Sequence, residues 1–135
     1  MKHKIKYSKD LEWLMPFVES VHSYIPLHRI KSIKSYKVKE GLNERTYGST
    51  IKRKKKYTIN LRVYHYDDES QTYKNEIIAM ILDTLAHELS HVNQNNKNFG
   101  KHDYKHFRIQ SWILNSFSVI LEKLEIEDTS KRFNN

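Results

Sequence analysis

Apolar positions along the chain keep two different rhythms. From residue 8 to 25, Leu11, Leu14, Met15, Val18 and Val21 fall three or four apart, the step that lines one side of a helix. Ser8 stands where an N-cap belongs and Pro26 ends the run. The rhythm then changes to that of strands. Over 28–38, Ile30, Ile33, Tyr36 and Val38 are separated by basic residues, and a turn follows around Gly41 to Asn43. A short strand is expected over 45–51. A clearer one covers 56–66, where Tyr57, Ile59, Leu61 and Val63 alternate with Thr58, Asn60, Arg62 and Tyr64.

An acidic loop, Asp67 to Ser70, leads into the strongest helical signal, 72–95, with Ile78, Leu82, Leu85, Leu89 and Val92 on one stripe. Asn93 to Gly100 breaks it. A last helix over 103–125 carries Phe107, Ile113, Phe117, Ile120 and Leu124, and the polar residues 126–135 are expected to fray. The order predicts one α+β domain over 1–125: an N-terminal helix, a small three-stranded antiparallel sheet, and two helices.

Composition narrows the chemistry. The 135 residues contain no cysteine, which excludes a disulfide framework and any thiolate-bound metal, so a metal site here must use His, Asp or Glu. The apolar fraction, 38%, allows a thin core. With 24 basic against 16 acidic residues the formal charge is +8, which favours polyanionic partners such as nucleic acid over acidic ones. The start of the chain lacks the long apolar run of a secretory signal, and no stretch is apolar enough to span a membrane, so an intracellular protein is expected.

Against that background one motif stands out. His87-Glu88-Leu89-Ser90-His91 reads H-E-x-x-H. Two histidines four apart lie one turn apart on one helix face and can reach a single ion; the intervening Glu points elsewhere and can hold and deprotonate a water. At about 100° per residue, both histidines fall opposite the Leu85 stripe. Their face also carries Met80 and Thr84, as a half-buried cleft would, rather than the Lys and Glu of a solvated helix. A solvated His pair is the plain alternative. A catalytic zinc takes three protein ligands and keeps one open position. The third is expected downstream, at His102 in preference to His106: Gly100 lets the chain turn back and Asp103 can cap the last helix. His106 then remains a ligand or substrate contact. Asp83, one turn before His87, is a candidate to orient that ring, with a solvent-facing acid as the plain alternative.

These residues resemble the SprT-like zinc metallopeptidases, which include the Spartan proteases, and the related WLM family. Those families show H-E-x-x-H, a variable loop, then His followed by Gly, Ser or Asp and an aromatic about four residues on. Here that reads His87, Glu88, His91, His102-Asp103 and Phe107, with His106 where the aromatic usually stands. Arg45-Thr46-Tyr47-Gly48, a basic stretch and the strand Tyr57-Thr58-Ile59-Asn60-Leu61 also fit, so the resemblance covers roughly 45–110. It implies a zincin-like fold, one Zn²⁺ per chain, peptide-bond hydrolysis, and a role in repair of DNA–protein crosslinks, in a minimal form without an added zinc ribbon.

The sequence thus points to a zinc-dependent peptidase. His87, His91 and His102 are its ligands, Glu88 its general base, and protein or peptide its substrate. The strand around 57–64, if at the sheet edge, is the expected peptide-binding strand. Lys52, Arg53, Lys54, Lys55 and Lys56 form the densest charge; the plain reading is a solvated hairpin tip, the functional one a contact for DNA, single strands favoured. Lys31, Lys34, Lys37 and Lys39 would extend that patch if the strands pair, and Tyr47, Tyr57 and Tyr64 would stack unpaired bases. Two rivals stand beside it. One is a basic nucleic-acid-binding domain with a structural or vestigial zinc, which a closed site using both His102 and His106 would favour. The other is a metal-dependent hydrolase of a non-peptide substrate.

Overall fold

A computed structural model describes residues 4–36, 47–62, 71–95 and 97–133, except for the side chains of 71–77 and 126–133. The turn around Gly41, Val38, Arg45, Thr46, Val63, Tyr64, Lys37, Lys39 and the acidic loop all lie outside the described residues.

The fold is α+β, as expected. A two-residue strand β1 (Lys6–Tyr7) is followed by a 3-10 turn, Lys9–Leu14, and a short helix α1, Met15–Glu19. The single helix expected over 8–25 is therefore broken. Pro16 lies in its middle; it has no N–H to give to residue 12 and its ring clashes there, so an α-helix can only restart around it. Most of the apolar stripe survives the break: Leu11, Leu14, Val18 and Val21 are buried and Met15 is half-buried, with Phe17 buried beside them. Ser8 does not cap through its side chain; its Oγ accepts from the Ser35 backbone N–H at 2.9 Å, tying β1 to the next strand.

Strand β2 (Ile30–Tyr36), strand β3 (Gly48–Arg53) and strand β4 (Lys56–Arg62) complete a sheet of order β1-β2-β4-β3. Among the described residues it is four-stranded and mixed, which corrects the expected three-stranded antiparallel sheet. β2 pairs parallel with both β1 and β4, and only β3–β4 is antiparallel. Ile30 and Ile33, an odd three apart for a strand, both end up buried because a bulge at Lys31 absorbs the extra residue. β4 buries Tyr57, Ile59 and Leu61 on one face and leaves Thr58, Asn60 and Arg62 half-exposed on the other.

The buried face is covered by helices. Helix α2 (Gln71–Val92) packs across β3 and β4 with Ile81, Leu82, Leu85, Ala86, Leu89 and Val92 in the core. Helix α3 (Tyr104–Phe133) packs on α2 through Ile109, Ile113 and Phe117, and Phe117 meets Phe17 edge to face at 5.6 Å. No glycine or proline follows Gly100, and α3 continues to Phe133.

Candidate metal centre

α2 delivers two imidazoles and one carboxyl to the same end of the molecule. With Leu85, Leu89 and Val92 fixed in the core, His87 and His91 face the start of α3 and Glu88 faces β3. The chain must then turn back. Gly100 does so at φ 87°, a left-handed conformation that costs glycine little. Gln94 secures the turn: its Oε1 accepts from the Gly100 N–H at 2.9 Å and its Nε2 donates to the Lys101 carbonyl at 2.6 Å. Asp103 caps α3 as expected, accepting from the His106 N–H at 2.9 Å. His102 thus stands at the entrance to α3 and His106 one turn inside it.

The result is a cluster of four imidazoles, His87, His91, His102 and His106, whose potential ligand nitrogens all lie within 4.8 Å of one another. Every ring-to-ring distance in it falls between 4.3 and 5.1 Å. His102 and His106, weighed against each other from the sequence, are both brought to the site. His102 is exposed; His91 and His106 are buried at 5% and 1% exposure.

Hydrogen bonds fix which nitrogen each ring offers. His87 Nδ1 donates to Gln110 Oε1 at 3.1 Å and His91 Nδ1 donates to Gln94 Oε1 at 2.8 Å, so each presents Nε2 as its lone pair. This is the arrangement in which an outer partner orients a metal-ligating histidine. Gln110 and Gln94 hold the places for which Asp83 was a candidate; Asp83 is exposed. Gln94 was legible as an i, i+3 neighbour of His91, whereas Gln110 lies 23 residues from His87 and only the packing of α3 on α2 brings it near. Burial, and secondarily the neighbouring imidazoles, holds His106 down to about 4, and burial likewise lowers His87 and His91. These rings stay neutral at pH 7, the form that binds metal. Two anchored Nε2 lone pairs and a buried His106 Nδ1, without a hydrogen-bond partner among the described residues, are a donor set that fits a metal ion.

Glu88 is 5% exposed, and burial pushes its carboxyl up to about 7, offset in part by Thr50, whose Oγ1 donates to Oε2 at 3.4 Å. Thr50 lies on β3, and Gly48 lets that strand come close: a Cβ there would stand 2.6 Å from Thr84 Cγ2 and 3.4 Å from Glu88 Cγ. Met80 and Thr84 are half-buried, as their position beside the motif suggested. The edge strand beside the site is β3. β4 is an interior strand, so the condition set for a peptide-binding role of that segment, a place at the sheet edge, is not met.

The basic run divides. Lys52, Lys54 and Lys55 line a cavity of about 790 Å³ together with Arg29, Tyr57, Gln94 and Asn95. Lys56 donates instead to the His28 carbonyl at 2.8 Å, and Arg53 does not line the cavity. Arg29 was not singled out in the sequence; the register that sets Ile30 opposite Tyr57 carries it there. Lys31 and Lys34 are exposed on β2, which β4 separates from β3. Tyr57 is 2% exposed, with Lys52 Nζ 5.7 Å above its ring, so it forms part of the wall and is no free stacking platform; Tyr47 is 47% exposed. Among the described residues no helix is long and apolar enough to cross a membrane.

Compared with known proteins, the chain matches no family model, no curated protein and no solved structure.

Proposed function

We propose that the chain is a zinc-dependent metallopeptidase of the zincin kind, resembling the SprT-like enzymes. The observation that carries this reading is Glu88: a buried carboxyl raised to about 7, next in sequence to a four-imidazole cluster that fits a metal. A purely structural metal has no use for such a group. His87, His91 and His102 hold the ion. When bound, zinc lowers the pKa of a coordinated water towards about 7 and polarises a carbonyl. Glu88 takes a proton from the attacking water and returns it to the leaving amine nitrogen, a shuttle that works best near pH 7 with a pKa near 7. An extended peptide adds to β3, whose outer edge no described residue pairs, and lies across the Glu88 side of α2.

The basic cavity of Arg29, Lys52, Lys54 and Lys55 supports a nucleic-acid contact beside this site, and with it substrates that are themselves DNA-bound or crosslinked. The alternative is a basic nucleic-acid-binding domain with a structural zinc. It is favoured by the convergence of all four histidines, which can leave no position open. Cleavage decides between them. The zinc-loaded chain should cut an unfolded protein, chelation should abolish cutting, and added zinc should restore it. A zinc-loaded, folded chain that cuts neither peptides nor unfolded proteins, with or without single-stranded DNA, supports the alternative.

A further inference from the structure

One atom of the cluster has no role in a three-ligand site. His106 is 1% exposed, and its Nδ1 is buried with no hydrogen-bond partner among the described residues. Its Nε2 lies 3.2 Å from the His87 carbonyl oxygen. An oxygen of that kind only accepts, so Nε2 carries the proton and Nδ1 keeps the lone pair. A buried acceptor without a partner is rare, because burial strips it of water and returns nothing.

The four rings also differ in how they are held. His87, His91 and His106 are each anchored by a hydrogen bond from one ring nitrogen, to Gln110, Gln94 and the His87 carbonyl, which leaves the other nitrogen as a lone pair. His102 is exposed, lies on the irregular segment between Gly100 and α3, and has no second partner among the described residues. Its Nε2 lies 3.1 Å from His87 Nε2, whose proton sits on the opposite nitrogen. Two nitrogens sharing one zinc at about 2.1 Å are about 3.4 Å apart in a tetrahedron, so this pair already has the spacing of joint ligands.

We propose that His106 is a fourth metal ligand, through Nδ1, and that the exposed His102 is the exchangeable member of the resulting four-imidazole shell. The inference rests on the metal reading above and revises its ligand set: the resting site is closed and latent with all four imidazoles on the ion, and the ligands that persist in the working site are His87, His91 and His106, with His102 a ligand only at rest. With metal bound, His102 would yield its position to a water or to the substrate carbonyl oxygen and swing into solvent, while His87, His91 and His106 would stay anchored. A shell that is both four-His and catalytic is thereby possible, because one of its ligands is built to leave.

X-ray absorption on the zinc-loaded 135-residue chain tests this directly. The wild type should show four imidazoles around zinc; His102→Ala and His106→Phe should each show three imidazoles and one oxygen. Zinc affinity should fall in His106→Phe by more than about 100-fold, beyond what loss of an outer partner costs, and by less in His102→Ala. A wild-type shell of three imidazoles and one oxygen, unchanged in His106→Phe, overturns the inference and leaves the metal reading intact. A larger affinity loss in His102→Ala overturns the exchange assignment. A folded wild type that binds no zinc removes the metal reading itself. The wild-type count does not depend on whether either variant folds.

Discussion

Glu88 is the residue on which the proposed chemistry turns, and its surroundings make a prediction that needs no metal. Its pKa in the folded chain, about 7, lies above the ordinary 4.5, mainly because of burial. The folded state keeps a proton that the unfolded chain loses. The contribution is therefore complete below about 4.5 and is lost as pH rises towards about 7. In metal-free protein, Glu88→Gln should match wild type in stability near pH 4 and exceed it by about 2–3 kcal/mol near pH 8. Urea unfolding at the two pH values measures this; a difference that does not change with pH would show that Glu88 is solvated. Gly48 gives a second test. A Cβ would lie 2.6 Å from Thr84 Cγ2 and 3.0 Å from the Asn60 carbonyl oxygen, so Gly48→Ala should cost about 1–3 kcal/mol and push β3 away from Glu88. Unchanged thermal stability in that variant would mean that β3 is free to retreat. At this level the sequence was most readable: the H-E-x-x-H spacing, the glycine turn at Gly100 and the Asp103 cap are local patterns. Gln110 and Arg29 were not, since each reaches its place only through packing between distant segments.

Among the elements, local signals held and adjacency did not. The strands of residues 30–36, 48–53 and 56–62 do run alternately up and down, as short connections suggest. What the periodicity does not reveal is that β4 inserts between β2 and β3. Burial explains the choice. β4 brings Tyr57, Ile59 and Leu61 to the core and takes the centre, whereas β3, with exposed Ile51 and Arg53, suits an edge. The N-terminal helix failed for another local reason, Pro16, which a count of apolar spacing passes over. The β3–β4 hairpin closes through Lys54 at φ 57°, a left-handed conformation unfavourable for a side chain with a Cβ. Lys54→Gly should therefore stabilise the chain by up to about 1 kcal/mol, read as a rise in melting temperature. A fall would mean that the lysine side chain contributes more than the strain costs.

Taken whole, the molecule sets a basic cavity and a four-imidazole cluster on either side of Gln94, which lines the first and orients His91 in the second. With a formal charge of +8, nucleic acid is the proposed partner of that cavity. Affinity for single-stranded DNA should fall with log salt at about 0.7 per phosphate contacted, and replacing Lys52, Lys54 and Lys55 by Gln should flatten that slope by about 2. A slope untouched by the triple change would remove DNA from this surface. The central claim is peptide-bond hydrolysis by Glu88 beside a histidine-held zinc, and one comparison tests it most directly. Wild type and Glu88→Gln are loaded with zinc to equal, measured stoichiometry, and their rates of cleaving the same unfolded protein are compared. The account predicts equal zinc, the same fold and a rate lower by a factor of about 10² or more in the variant. Equal rates at equal zinc would contradict it.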